Sequence, residues 1–499
     1  MEYSISKISS VGKFMMLIGI LVAIPLLVIP FGMQDHRFAS SFIVPASFSL
    51  LCGFLLFLYG RRRSSTVENF GWKSSMQHSS IIVLFAWVWG MLVGAFPFFS
   101  SGQLRLVQSL FESISGWTTT GLSVMDTSTT PRIFLFHRSF MQFCGGLGFV
   151  MMMNMFIQEK QSMRLYHAEG HSDKLLPNLR KTTQLIFLMY GGLLVAGILL
   201  YHIVGMNIFE SLLHAMCALS TGGFSTRLGS IGEYNSLGIE LVTIILMLFG
   251  TTNFAVLFLI FRMRLRQVVR VSEVQLLLGL LCIGIPVFAF GLQRSPQFMG
   301  MESFKLATFN VISALSTTGY STIDFRGMAP SSLGVIIIMM LIGGGIGSTA
   351  GGMKLERVYI GIKVIALNFR TRINPVRSIH PGFFYKAQGK HMIDDKLILE
   401  TTAHILCYLS IIGVGTILLA ATANANLLDA LFEFASAFGT VGLSIGITNA
   451  NLGNAALLVE MFAMVLGRLE IFIVFIAIHS SIELMQSRLQ KIGNKGFKK

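Results

Sequence analysis

Four short stretches of this chain repeat one pattern: threonine, any residue, glycine, an apolar residue, serine. They are Thr119-Thr120-Gly121-Leu122-Ser123, Thr221-Gly222-Gly223-Phe224-Ser225, Thr317-Thr318-Gly319-Tyr320-Ser321 and Thr440-Val441-Gly442-Leu443-Ser444. The chemistry available to such a stretch lies in its backbone. A dehydrated cation needs oxygen ligands, and loops of this kind supply them as backbone carbonyls turned the same way. Glycine reaches that conformation at low cost. One stretch cannot encircle an ion, whereas four in one chain can. Isolated, each copy would read as a small-residue packing motif at a helix contact; in register, four copies mark an internal repeat.

The match extends upstream. Seven residues before each first threonine stand Glu112, His214, Asn310 and Glu433; four before stand Ser115, Cys217, Ser313 and Ser436; three before stand Gly116, Ala218, Ala314 and Ala437. The small residues suit a short helix packed closely against its neighbours. A helix ending just before the motif aims its negative dipole end at a bound cation.

The elements that position these stretches follow from hydropathy. Of 499 residues 53% are hydrophobic and 12% charged, about half the charge of an ordinary soluble domain. Span-length apolar runs lie near 14–31, 41–60, 79–98, 133–157, 183–204, 237–262, 273–293, 332–353, 399–421 and 455–480. The run at 14–31 follows Lys7 and Lys13 like a signal peptide, but no small-residue cleavage site follows it, so it is predicted to be the first span. Shorter apolar segments lie near 104–118, 207–220, 302–316 and 427–439, and are predicted to be re-entrant or buried helices.

Charge orients the chain. With the N-terminus inside, 29 of the 38 Lys and Arg fall on the interior side, eight lie on or near the exterior, and Arg468 lies within the last run. This distribution accounts for the net charge of +15 and the pI near 9.8 without nucleic acid. All four short segments then enter from outside. From 79 onward the chain reads as span, short helix, span, four times: 79–181, 182–271, 272–398 and 399–499, after an added pair of spans in 1–78. The five cysteines are far apart in apolar segments with no metal-ligand spacing, and are expected to be packing residues.

Six of the ten residues in Gly343-Gly344-Gly345-Ile346-Gly347-Ser348-Thr349-Ala350-Gly351-Gly352 are glycine. Such a run breaks a helix. It is either a flexible end leading to the basic loop 354–398 or a loop that blocks and opens the path. Its fit to G-x-G-x-x-A is discounted because a span-length run, not a soluble strand, precedes it. Arg468 is a charged group inside a span and so a functional candidate, as a barrier to cations or a structural pair; Glu470, two residues on, does not face it on a helix. Asp126 and Asp324 lie seven residues past a filter threonine, where they draw cations to the outer mouth or are ordinary solvated carboxylates. Glu112 and Glu433 anchor the short helices or add field; His214 is a titrating group or a packing histidine.

These residues together resemble the Trk/Ktr/HKT potassium transporters, closest to the TrkH branch. The resemblance covers nearly the whole chain: the four motifs, the added helix pair, the glycine run 343–352, Gly467-Arg468-Leu469-Glu470, and Arg164-Leu165-Tyr166-His167-Ala168-Glu169. It implies an all-α polytopic membrane protein with ten spans and four re-entrant pore helices around a central pore. It implies a filter at Thr119, Thr120, Gly121, Thr221, Gly222, Gly223, Thr317, Thr318, Gly319, Thr440, Val441 and Gly442. A gate at Gly343, Gly344, Gly345, Gly347, Ser348, Gly351, Gly352 and Arg468 is implied too. Potassium is then substrate, with no cofactor in the chain. The expected assembly is a homodimer on a cytoplasmic nucleotide-binding, TrkA-like ring in a prokaryotic inner membrane, with both termini cytoplasmic. Glycine at every filter favours potassium over sodium. Two other classes compete. A cation-coupled secondary transporter would show inverted rather than same-handed repeats. A membrane enzyme would need a nucleophile or metal constellation that the sequence lacks.

Overall fold

The computed structural model describes residues 3–32, 35–62, 72–148, 151–152, 179–293, 300–373 and 382–496. The run Arg164–Glu169 lies outside the described residues.

The helices are α1 (Tyr3–Ala23), α2 (Ala39–Arg62), α3 (Trp72–Ser100), α4 (Leu106–Trp117), α5 (Arg132–Leu147), α6 (Leu179–Ile203), α7 (Ile208–Leu219), α8 (Leu237–Thr251) and α9 (Phe254–Phe261). There follow α10 (Ser272–Leu292), α11 (Met301–Leu315), α12 (Pro330–Ile342), α13 (Leu355–Ile373), α14 (Asp395–Ala423), α15 (Leu427–Phe438), α16 (Asn454–Arg468) and α17 (Ile471–Gly496). Among the described residues the one sheet is a hairpin, β1 (Phe383–Lys386) antiparallel to β2 (Gly389–Met392), with Phe383 opposite Met392. It lies in the basic loop, and Tyr385 N–H donates to Ser272 Oγ at 2.9 Å. The helical reading of the sequence does not include it.

Six helices among the described residues are long and apolar enough to cross a membrane, or up to eight if two pairs of consecutive helices each count as one broken span. Ten continuous runs are legible in the sequence, and the difference has local causes. The run 237–262 is cut at Thr252-Asn253, where the chain bends by 116° and Asn253 caps α9 by accepting from Ala255 N–H at 2.8 Å. The run 332–353 stops as helix at Ile342 because Gly343 turns into the left-handed region (φ 71°). The described part of 133–157 is α5, and 153–178 lies outside the described residues.

The chain forms two compact units, one of residues 1–103, 148–185 and 469–499, the other of 104–147 and 186–468. In the first, α1 and α2 lie side by side and α3 packs on both. Glycine permits the crossing: a Cβ on Gly12 would sit 2.5 Å from Gly53 O. Ser49 ties the trio, donating to Met15 O at 2.7 Å and accepting from Trp89 Nε1 at 2.9 Å.

The second unit is a closed cycle of packed helices. Each short helix packs on the helix that follows it, and that helix packs on the next short one: α4, α5, α7, α8, α11, α12, α15, α16 and back to α4. Its apolar cores are built between neighbours, as where Phe288, Val311, Ile336 and Phe432 meet in one cluster. Two of the short helices, α7 and α15, start on asparagine caps: Asn207 accepts from Phe209 N–H at 2.9 Å, and Asn426 from Asp429 N–H at 2.9 Å.

Candidate functional site: four turns and the loop against them

Each short helix ends in the same way. The first threonine of each motif is left-handed: Thr119 (φ 55°), Thr221 (52°), Thr317 (55°) and Thr440 (50°). That residue closes the helix with paired reverse bonds, as where Thr119 N–H donates to Gly116 O at 3.1 Å and Thr120 N–H to Ser115 O at 2.9 Å. The same pair recurs at Thr221 and Gly222, Thr317 and Thr318, and Thr440 and Val441. Two residues on, the motif glycine is again positive: Gly121 (93°), Gly223 (74°), Gly319 (84°) and Gly442 (95°). Alternating signs of φ turn successive carbonyls to one side, and strain of this kind is kept where surrounding structure fixes it.

The four turns meet in order around a ring. A Cβ on Gly121 would stand 2.2 Å from Gly222 O, on Gly223 2.0 Å from Thr318 O, on Gly319 1.9 Å from Val441 O, and on Gly442 2.2 Å from Thr120 O. The middle carbonyl of each motif therefore reaches the glycine of another motif, and the four contacts close on themselves. Only glycine leaves room for it. All four glycines line one cavity of about 630 Å³ on the side toward Asp324 and Arg326.

Behind the ring the upstream polar residues do one job four times. Glu112 accepts from Ser123 Oγ at 3.0 Å and Val124 N–H at 3.2 Å. His214 Nε2 meets Ser225 Oγ at 3.1 Å. Asn310 accepts from Thr322 N–H at 3.3 Å, and Glu433 from Ser444 Oγ at 2.6 Å and Ile445 N–H at 2.9 Å. Each short helix is thus tied to the strand that leaves its own turn, which decides for the anchoring reading of Glu112 and Glu433 and the packing reading of His214. Ser115 and Ser313 add a second tie, donating to Leu122 O and Tyr320 O, each at 2.6 Å. The Glu112 carboxylate is wholly buried and offset by Arg138, 2.5 Å away and 2% exposed. That guanidinium also lies 4.0 Å over the Phe224 ring. Tyr320 Oη donates to Phe224 O at 3.1 Å and so links the third turn to the second. Arg138 and Gln142 were not singled out by sequence reasoning; of the two, Arg138, a charge within an apolar run, carried a signal.

The glycine run folds as a loop against the threonines. Gly351 N–H donates to Thr317 Oγ1 at 2.7 Å, and Thr349 Oγ1 lies 3.2 Å from Thr221 Oγ1. A Cβ on Gly351 would stand 2.0 Å from Thr440 Oγ1, so the loop reaches the fourth turn too. Among the described residues the buried Thr119 and Thr440 hydroxyls have no hydrogen-bond partner. Thr349 Oγ1 also lies 3.1 Å from Leu219 O and 2.9 Å from Gly250 O. Arg468 donates to Thr349 O at 2.6 Å and to Gly145 O and Gly146 O at 2.5 and 3.0 Å. Its charge therefore joins the loop to the carbonyl end of α5, the favourable end for a cation. Glu273, which the sequence did not mark, accepts from Ile346 N–H at 2.9 Å. Lys354 Nζ donates to Ala350 O.

The two aspartates differ. Asp126 spends its carboxylate on Ser128, accepting from the Oγ at 2.6 Å and from the N–H at 2.9 Å, and these bonds hold its pKa below the ordinary aspartate value. Asp324 lines the cavity and pairs with Arg326 at 2.6 Å; the guanidinium bonds likewise lower its pKa.

A polytopic membrane protein is the class that these apolar helices define. The family model for TrkH, described as cation transport protein, matches residues 51–283 and 298–491, and the chain belongs to that family. The Trk system potassium uptake protein TrkG of Escherichia coli strain K12 is 29% identical over 437 residues, 85% of this chain and 88% of that one. The Trk system potassium uptake protein TrkH of Halomonas elongata is 27% identical over 453 residues, 87% and 90% of the two chains. The crystal structure of the potassium transporter TrkH from Vibrio parahaemolyticus superposes with a TM-score of 0.80 at 23% identity, over 95% of this chain and 98% of that one. It shares the fold.

Proposed function

We propose that this chain carries potassium ions inward across a cell membrane, through a filter whose oxygen ligands are the backbone carbonyls of the four T-x-G turns. The observation that carries the reading is the closed cycle in which each motif glycine receives the middle carbonyl of another turn. Four short segments then act as pore helices entering from outside, within ten spans whose basic loops face the cytoplasm. A cation that sheds its water in the cavity of about 630 Å³ exchanges it for those carbonyls. The free Thr119 and Thr440 hydroxyls are further oxygens on the same path.

The loop 343–352 serves as gate. It lies against three of the four filter threonines, and Arg468 holds it shut while placing positive charge beside the path. Opening requires Thr349 O and the Gly145 and Gly146 carbonyls to part, which is work for a cytoplasmic nucleotide-binding ring acting on a homodimer in the inner membrane. The relatives named as Trk system potassium uptake proteins support the choice of potassium.

The test is expression in a bacterium stripped of its own potassium uptake. Growth in potassium-limited medium, with rubidium uptake blocked by potassium and little affected by sodium, is the expected result. Membrane-inserted protein that restores neither growth nor rubidium uptake, with its regulatory partner supplied, would remove the reading.

A further inference from the structure

The second turn departs from the other three. Its middle residue is Gly222, where the others carry the β-branched Thr120, Thr318 and Val441. A Cβ on Gly222 would stand 2.4 Å from both Cδ and Oε1 of Gln142 and 2.8 Å from its Nε2. The buried amide of Gln142 therefore fills the place that a side chain takes in the other turns. It is bonded at both ends. Nε2 donates to Gly222 O at 2.6 Å, and Oε1 accepts from Phe224 N–H at 3.1 Å. The order of the two amide atoms is dictated by these partners, since a backbone carbonyl needs a donor and a backbone N–H an acceptor.

Gly222 O belongs to the ring, 2.2 Å from where a Cβ on Gly121 would be. Among the described residues no side-chain donor reaches the matching carbonyls of Thr120, Thr318 and Val441. We propose that Gln142 is a positioning residue of the filter, whose amide replaces the missing side chain of Gly222 and leaves the ring with three unshared carbonyls and one shared with an N–H. This rests on the filter reading above. Gln142 fixes where the shared carbonyl points, so discrimination between potassium and sodium depends on a side chain outside the four motifs. One helical turn before Gln142, Arg138 covers Phe224, so α5 supports both ends of this half of the turn.

The test compares wild type, Q142M, G222V and the double variant Q142A/G222V in liposomes at matched amounts of folded protein, by rubidium flux with sodium as competitor. Q142M fills the space without polar ends, and its preference for rubidium over sodium should fall about fivefold, the worth of one net hydrogen bond. G222V alone, with its side chain driven into Gln142, should lose flux. The double variant copies the arrangement of the fourth turn and should recover a preference near wild type, with KM and maximal flux both restored. An unchanged preference in Q142M overturns the proposal. If Q142M does not fold, the double variant decides alone: a preference near wild type supports the exchange of amide for side chain, and none overturns it. Wild-type protein that shows no preference among cations would instead bring down the filter reading itself.

Discussion

The four T-x-G turns and the loop 343–352 are both irregular backbone rich in glycine, tolerated in a membrane protein only where protein or a water-filled path surrounds it. They are secured in different ways. Each turn is closed by its own helix, tied from behind by an anchoring side chain, and pressed against other turns. The same securing device therefore occurs four times. The loop occurs once and is tied to its surroundings by single bonds, among them Gly345 N–H to Thr251 O, Thr349 N–H to Gly250 O and Phe254 N–H to Gly347 O, and by those of Thr349 Oγ1, Gly351, Glu273, Lys354 and the Arg468 guanidinium. The contrast lies within a single unit, between a device repeated four times and one that occurs once.

The contrast is broken most severely at the ring. In Gly319→Ala the added methyl stands 1.9 Å from Val441 O on a backbone of φ 84°. The turn must shift, and potassium-selective flux should fall at least about a hundredfold, given the steep cost of displaced ion ligands. Gly121→Ser, with 2.2 Å to Gly222 O, should weaken discrimination against sodium. Rubidium flux with sodium competition reads both; selectivity unchanged in either would free that turn from the filter.

Next in size is the buried pair behind the first turn. Arg138→Ala leaves the Glu112 carboxylate without its cation and should cost about 3 kcal/mol, since breaking one side of a buried pair strands the other. Thermal unfolding of the detergent-solubilised protein measures it. An unshifted midpoint would mean that the pair carries no structural burden.

On the loop side, Arg468→Ala removes bonds to Thr349, Gly145 and Gly146 and should raise basal flux about tenfold, the effect of roughly 1.4 kcal/mol taken from the closed state. Unchanged or lower flux at equal protein level would count against the gate. Thr349→Val removes the hydroxyl ties to Leu219, Gly250 and Thr221 and leaves the Arg468 bonds, and should give a smaller rise, about threefold.

The smallest effect lies at the mouth. Asp324 has its pKa lowered by Arg326, so its charge is present at neutral pH and is lost only as pH falls below the ordinary carboxylate range. KM for potassium should therefore stay flat between pH 8 and about 5 as far as this group is concerned. Asp324→Asn should raise KM slightly at low salt and not at high salt. A KM that climbs on acidification through pH 6 would point to another titrating group.

The four motifs, the short helices and the recurring polar position of Glu112, His214, Asn310 and Glu433 were legible because each is local and recurs, with anchoring one of two readings for Glu112 and Glu433 and no reading for Asn310. Periodicity reveals what is repeated. Arg468 was legible because a charge in an apolar run stands out, although its partners, 119 to 323 residues away in the chain, were not. Gln142 and Glu273 were invisible, since a single amide or carboxylate carries no pattern and its partner lies far along the chain, for Gln142 in the next repeat. The break at Gly343 was legible in the glycine run that starts there, whereas the break at Asn253 was not: hydropathy counts apolar residues and does not see the cap that interrupts them. The β1–β2 hairpin is too short and too polar to register as strands.

The most direct measurement is flux through the purified protein in liposomes, with potassium, rubidium, sodium and lithium offered in turn and the regulatory partner present. A ring of four carbonyl-bearing turns should pass potassium and rubidium and largely refuse sodium and lithium. Equal passage of potassium and sodium would leave a pore but contradict the claim that these four glycine turns select the ion.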